Sequence, residues 1–160
     1  MVRECRTARS EDFTALQRML ELYQYDISDI YDQDLDAAGE YGYDLSRFSE
    51  GECRFAHVCL VNTHYAGFAL VAPAFVTQAS GCWMEQFFIL KKYRRGNVGA
   101  ELARHVFRSH PGPWEVGQMP SNLPAQAFWR KVIGETTAGR YTEIQVTEGR
   151  WRGVVQRFGL

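Results

Sequence analysis

The chain has 160 residues, 46% of them hydrophobic and 14% aromatic, which suits one globular domain with a real core and excludes a disordered tail. No apolar run approaches the roughly 18 residues of a membrane span, and MVRECRTARSED lacks the hydrophobic region of a secretory signal, so the expectation is cytoplasmic with no membrane partner. The net charge of −1 hides an asymmetry: residues 21–50 hold nine acids against Arg47, a net of −8, and the remainder carries +7.

Residues 2–7 suit a short first strand. Ser10 is placed to cap a helix whose first turn carries Glu11 and Asp12, and Phe13, Leu16, Leu20 and Tyr23 then recur at helical spacing. The acidic stretch follows, with five of the eight tyrosines, and part of it reads as a second, irregular helix. Residues 53–61 and 65–71 read as two strands around Asn62-Thr63-His64, apolar enough to be buried on both faces. A fourth strand, 82–90, runs straight into a basic turn. Val98, Leu102, Ala103, Val106 and Phe107 then form the stripe of a helix over 98–109, ended by Pro111-Gly112-Pro113. A short fifth strand over 114–118 precedes Ser121-Asn122-Leu123-Pro124, a cap with proline in the first turn. That helix turns Ala125, Phe128 and Val132 inward and stops near Gly134, and strands over 141–147 and 151–158 close the chain.

The basic turn is the most informative segment. Strand, glycine-containing turn and helix, in that order, build a cradle for a pyrophosphate, because N–H groups at a helix start are unpaired and the helix dipole is positive there. Arg94 and Arg95 can add charge-assisted bonds. No Lys-[Ser/Thr] follows Gly99, which excludes a P-loop, and Gly96 and Gly99 are one glycine short of the dinucleotide fingerprint. Arg94-Arg95-Gly96-Asn97-Val98-Gly99 instead resembles motif A, [Gln/Arg]-x-x-Gly-x-[Gly/Ala], of the GNAT superfamily of acetyl-CoA-dependent N-acetyltransferases. Asn97 replaces a usual glycine, and asparagine tolerates the left-handed conformation best among the other residues. Asn122-Leu123-Pro124-Ala125-Gln126-Ala127-Phe128-Trp129-Arg130-Lys131 resembles motif B, Asn-x-x-Ala-x-x-Phe-[Tyr/Trp]-x-Lys. The chain is similar to small bacterial members sharing NxPAQAFWRKVIGE.

The resemblance covers essentially residues 1–160 and implies a single-domain α/β fold: a mixed sheet of about seven strands, splayed between strands four and five, with about four helices. It also implies which residues meet acetyl-CoA. The strand-four backbone near Phe88 and Ile89 would bond the amides of the pantetheine arm, and the turn Arg94, Arg95, Gly96, Asn97, Val98, Gly99 and Ala100 would hold the pyrophosphate. Asn122, with Ala125 and Phe128 beside it, would contact the arm.

An amine attacking a thioester must first lose a proton, since an alkyl ammonium is almost wholly charged at neutral pH. Glu85, a lone acid in an apolar strand, is the candidate base, and an edge carboxylate paired with an arginine is the bland alternative. Glu85 should share a face with Ile89 unless a bulge intervenes. Ile89 N–H is the expected oxyanion donor. Trp129 stands where relatives carry an acidic tyrosine, so Tyr141 or a tyrosine from 23–43 would have to replace it.

An acidic half facing an anion-binding half suits a small cationic amine acceptor, while a solvated loop accounts for the same charges. Four cysteines without a CxxC pair read as free thiols, and four histidines without ligand spacing give no metal site. Near-neutral charge argues against nucleic acid. The expected state is a monomer or homodimer. A CoA-binding sensor without turnover is the second reading, carried by Asn97 and Trp129.

Overall fold

A computed structural model describes residues 1–48 and 53–160. Glu50, counted in the acidic stretch, lies outside the described residues. The elements are β1 (Arg3–Thr7), α1 (Phe13–Tyr31), β2 (Phe55–Val61), β3 (His64–Pro73), β4 (Cys82–Ile89), α2 (Val98–Ser109), β5 (Pro113–Gln118), α3 (Leu123–Thr137), β6 (Thr142–Val146) and β7 (Gly153–Gly159). Short 3₁₀ turns occupy Ser10–Asp12, Ser46–Phe48 and Lys91–Tyr93. All seven strands form one sheet in the order β1-β2-β3-β4-β5-β7-β6, in which only β4 and β5 are parallel neighbours.

The sheet is covered on both faces, which is why its central strands are nearly continuous apolar runs. On one face Leu102 and Val106 of α2 and Val132 and Ile133 of α3 pack over Val71, Met84 and Ile89. On the other, Leu16 and Leu20 of α1 pack over Val58, Phe68, Leu70 and Phe88. Phe107 meets Trp114 and Phe158 edge-to-face within the first layer, and those two rings lie parallel to one another.

Three expectations need correction. The acidic stretch holds no second α-helix among the described residues, only the 3₁₀ turn Ser46–Phe48: α1 continues to Tyr31 and ends with Asp32 at φ 50°, so three α-helices and short 3₁₀ turns are described. Asp34 to Glu40 carry too little apolar surface to bury another helical face. Asp12, not Ser10, organises the start of α1. It is fully buried and accepts from Arg6 at 2.6 and 3.0 Å, from Arg9 N–H at 2.6 Å and from the Tyr65 hydroxyl at 2.6 Å, so Arg6 holds its carboxyl well below the ordinary carboxylate range. Finally, α3 runs through Gly134 to a left-handed Ala138, one turn past the predicted stop. The β2–β3 turn is a two-residue Asn62-Thr63 hairpin with φ 48° and 68°, the hand that matches strand twist.

Candidate active site

β4 and β5 are paired only at Cys82–Trp114 and Trp83–Glu115, and then separate. Each keeps its outer neighbour, β3 or β7, along its whole length, so the sheet opens from within. The gap is the floor of a cavity of about 950 Å³ walled by α1, the start of α3 and the β6–β7 loop.

The β3–β4 ladder fixes which amides face that gap. Leu90 N–H donates to the Ala66 carbonyl at 2.9 Å, and the register pairs Phe88 with Phe68 and Gln86 with Leu70. In an antiparallel ladder every second residue turns both polar groups to its partner strand. Leu90, Phe88 and Gln86 are therefore committed to β3, and Ile89 and Phe87 turn theirs to the gap. This corrects the expectation for Phe88: its amide belongs to the ladder, and its ring packs on the α1 face with Tyr23, their centroids 5.4 Å apart.

Glu85 interrupts the register. Leu70 faces Gln86 and Val71 faces Met84, so Glu85 is the extra residue of a β-bulge. The bulge resets the alternation: Met84, Phe87 and Ile89 lie on the α2–α3 face, and Glu85 turns to the α1 face. There it accepts from the Tyr43 hydroxyl at 2.9 Å, from Arg47 at 3.3 Å and from Arg54 at 3.2 Å. The bulge is the stated exception to a face shared with Ile89, and Glu85 has the arginine partners of the bland alternative. Burial, then the neighbouring Glu85 charge, push the Tyr43 phenol above its ordinary range; burial does the same to Tyr23, so neither is an easy proton donor.

At the far end of β4 the turn reverses through Arg95 at φ 67° and Asn97 at φ 65°, left-handed on either side of Gly96. Asn97 thus adopts the conformation expected of it, whereas Gly96 does not require one that only glycine allows. The first helical bond of α2 is Glu101 N–H to the Asn97 carbonyl at 3.1 Å, which leaves Val98, Gly99 and Ala100 N–H without a backbone acceptor among the described residues. Packing at Gly99 is tight: a Cβ there would lie 3.2 Å from the Phe128 ring and 3.4 Å from the Ile89 side chain. Arg94 does not point into this cradle. Its Nε donates to the Ile89 carbonyl at 2.7 Å and its terminal nitrogen to Asp26 at 2.6 Å, which locks the turn to α1. Arg95 is exposed at the turn.

Asn122 caps α3, its side-chain oxygen accepting from Ala125 N–H at 3.3 Å, and Asn122, Ala125 and Phe128 all line the cavity. Trp129 stacks edge-on against Phe87 at 4.8 Å and is nearly buried. Across the gap Gly117 makes room for two indoles, since a Cβ there would lie 2.3 Å from Trp83 and 2.6 Å from Trp151. Trp151 therefore lines the cleft, while Phe158 is buried in the core.

A strand pair that opens beside an uncapped helix start is a fold-level signature, and the sequence agrees with it. The profile of the Acetyltransferase (GNAT) family matches residues 14–134. The chain belongs to the GNAT acetyltransferase family. No curated protein sequence matches it. The GNAT fold recurs in an acetyltransferase from Thermus thermophilus, with a TM-score of 0.70 at 13% identity over 100% of this chain and 98% of that one. The ribosomal-protein-S18-alanine N-acetyltransferase from Escherichia coli gives 0.62 at 14% identity, over 99% and 94%. The aminoglycoside N-acetyltransferase AAC(6')-Iy in complex with CoA gives 0.63 at 14% identity, over 93% and 99%.

Within this GNAT domain the structure brings Ile89, Asn122, Ala125 and Phe128 together at one cleft, with the 94–100 turn at its end. The acidic stretch does not follow. Of its described acids only Asp26 reaches the cleft, where Arg94 and Lys91 bridge it. Arg54, Arg150, Tyr43 and Gly117 were not singled out from sequence; Arg47, the one base among nine acids, was the available signal. Among the described residues no cluster of histidine, cysteine or carboxylate is arranged to hold a metal, and no helix is long and apolar enough to cross a membrane.

Proposed function

We propose that this GNAT protein transfers an acetyl group from acetyl-CoA to the primary amine of a small acceptor by direct attack on the thioester. One observation carries the reading: the early divergence of β4 from β5 beside the open start of α2. The free N–H groups of Val98, Gly99 and Ala100 suit a pyrophosphate, with the Gly96 and Asn97 turn and the Arg95 side chain around it. The arm then runs along β4 as an extra strand would. Ile89 N–H, nearest the cradle, serves an arm amide, and Phe87 N–H, further towards Glu85, takes over the oxyanion role first expected of Ile89. Asn122, Ala125 and Phe128 form the opposite wall. When bound, the co-substrate supplies the activated acyl carbon.

Glu85 is the proton acceptor in this reading, directly or through water. Trp129 cannot donate a proton readily, so the thiol leaves as its anion, which a group with pKa about 8.5 tolerates. Thiol release from acetyl-CoA across an amine panel tests the activity. Glu85→Gln should then lower kcat at least tenfold while calorimetry finds CoA affinity unchanged. The three groups already bonded to Glu85 favour a second reading, a CoA-binding sensor in which Glu85 only holds Arg47, Arg54 and Tyr43. Tight CoA binding with no amine-dependent release would decide for the sensor.

A further inference from the structure

The cleft's charge says what the acceptor carries besides its amine. Among the described residues, four arginines line it (Arg47, Arg54, Arg94 and Arg150) against two carboxylates, Asp26 and Glu85. Asp26 is spent on Arg94 at 2.6 Å and on Lys91 at 3.6 Å, at the cradle end. Glu85 is shared by two guanidiniums, each through a single contact longer than 3 Å, which leaves most of their fixed fork of N–H donors without an acid among the described residues. Arg150, on the β6–β7 loop, has no carboxylate partner among the described residues; its guanidinium lies over the Phe75 ring at 5.7 Å. Among the described residues the cleft is therefore lined, away from the cradle, by three cations, Arg47, Arg54 and Arg150, with one acid, Glu85.

We propose that the amine acceptor bears an anionic group, a carboxylate or a phosphate, which Arg47, Arg54 and Arg150 receive while the amine faces the β4 bulge. This rests on the acetyltransferase reading above and replaces the cationic acceptor expected from the acidic stretch. Guanidinium pairs bidentately with carboxylate and phosphate; Arg54 is half-buried, while Arg47 and Arg150 line the cleft as exposed residues free to swing onto a ligand. An acceptor with a second ammonium would meet like charge instead. The same positive field disfavours the ammonium form of the reacting amine, which helps it lose its proton.

The test uses the full chain and amines of equal length that differ at one end: 5-aminovalerate, pentylamine and cadaverine, with phosphoethanolamine separating phosphate from carboxylate. Thiol release should give kcat/KM at least tenfold higher for 5-aminovalerate or phosphoethanolamine than for pentylamine, with cadaverine slowest. Arg150→Gln and Arg47→Gln should each pull the ratio of anionic substrate to pentylamine towards one, and added salt should do the same. Equal rates for all four, or a preference for cadaverine, would overturn the inference. Absence of turnover with every amine would count against the acetyltransferase reading alone. The charge preference would then be read by calorimetry on the CoA-saturated protein. Binding of 5-aminovalerate or phosphoethanolamine without cadaverine supports it; equal binding, cadaverine alone, or none of the three overturns it.

Discussion

His57 makes the stability of this fold depend on pH in a way that can be worked out from its surroundings. It sits on β2, fully buried, with Nδ1 3.3 Å from His105 Nε2 and Nε2 2.8 Å from His110 Nε2. A neutral imidazole has one donor and one acceptor and can serve both neighbours, whereas an imidazolium has two donors and meets two further bases that also protonate. Burial first, then the His110 and His105 charges, lower its pKa from 6.5 to about 3. The unfolded chain therefore takes up a proton as pH falls through 6.5 and the native chain does not, so stability present above 6.5 is lost towards 3. At about 1.4 kcal/mol per pH unit, lowering the pH from about 6.5 to about 4.5 removes roughly 2.7 kcal/mol, or roughly 5–11 °C in Tm for a domain of this size. His105 and His110 are lowered too, mainly by burial, and add in the same direction. Asp12, held low by Arg6, loses its contribution only as pH falls below 3.8, outside this window. Urea denaturation across the window should show stability falling more steeply in the wild type than in His57→Phe, by about 1.4 kcal/mol per pH unit. Parallel slopes would refute the reasoning, since they would mean that His57 titrates alike in both states.

Three further outcomes follow from single contacts. Gly99→Val adds atoms where a bare Cβ already lies 3.2 Å from Phe128 and 3.4 Å from Ile89; overpacking of about 1–3 kcal/mol should displace α2 from α3, and calorimetry should show CoA affinity falling about tenfold. Glu115 is fully buried and accepts from Val76 N–H at 3.1 Å, Thr77 N–H at 2.6 Å and the Thr77 hydroxyl at 2.5 Å. Glu115→Gln turns one acceptor into a donor facing an N–H and should cost about 2–3 kcal/mol in urea unfolding. Asn122→Ala removes the α3 cap and should cost about 1 kcal/mol by the same assay, with weaker CoA binding.

Helical spacing and turn residues made most of the element order and the basic turn legible from residues, while the open β4–β5 pair came only with the resemblance that the two motifs carry. The Asn97 conformation was legible as well, because few side chains accept positive φ. Lateral partners were not. Nothing in the order of residues reveals that Arg94 reaches back to Asp26, sixty-eight positions away, or that Arg47 and Arg54 close on Glu85. Charge counted along the chain misled for the same reason. The acids at 29–44 are neighbours in sequence, from the last turn of α1 into the loop after it, and point mostly to solvent, while the cleft draws its arginines from three separate segments. The length of α1 was missed because Ile27, Ile30 and Tyr31 face a cleft rather than a core, so their spacing was masked by the acids between them.

The bulge at Glu85 is what lets one strand serve two partners. A regular β4 would put residue 85 with Phe87 and Ile89 on the face packed by α2 and α3, burying a carboxylate without a counter-charge. One inserted residue instead sends that carboxylate to the α1 side, where Tyr43, Arg47 and Arg54 receive it, and leaves the Phe87 and Ile89 side chains on the packed face. Beyond the bulge the amides of Phe87 and Ile89 still open laterally into the gap. In the proposed reaction donor and acceptor thus use different sides of the strand: the thioester arm the free edge, and the amine the α1 face. Deleting Glu85 should therefore remove the candidate base and keep the ladder, because Met84 already faces Val71 and Gln86 already faces Leu70, so closing the bulge leaves every other β4 side chain on its own face. Cooperative urea unfolding should persist while turnover is lost, whereas Glu85→Gln leaves the bulge in place and alters only the chemistry at its tip.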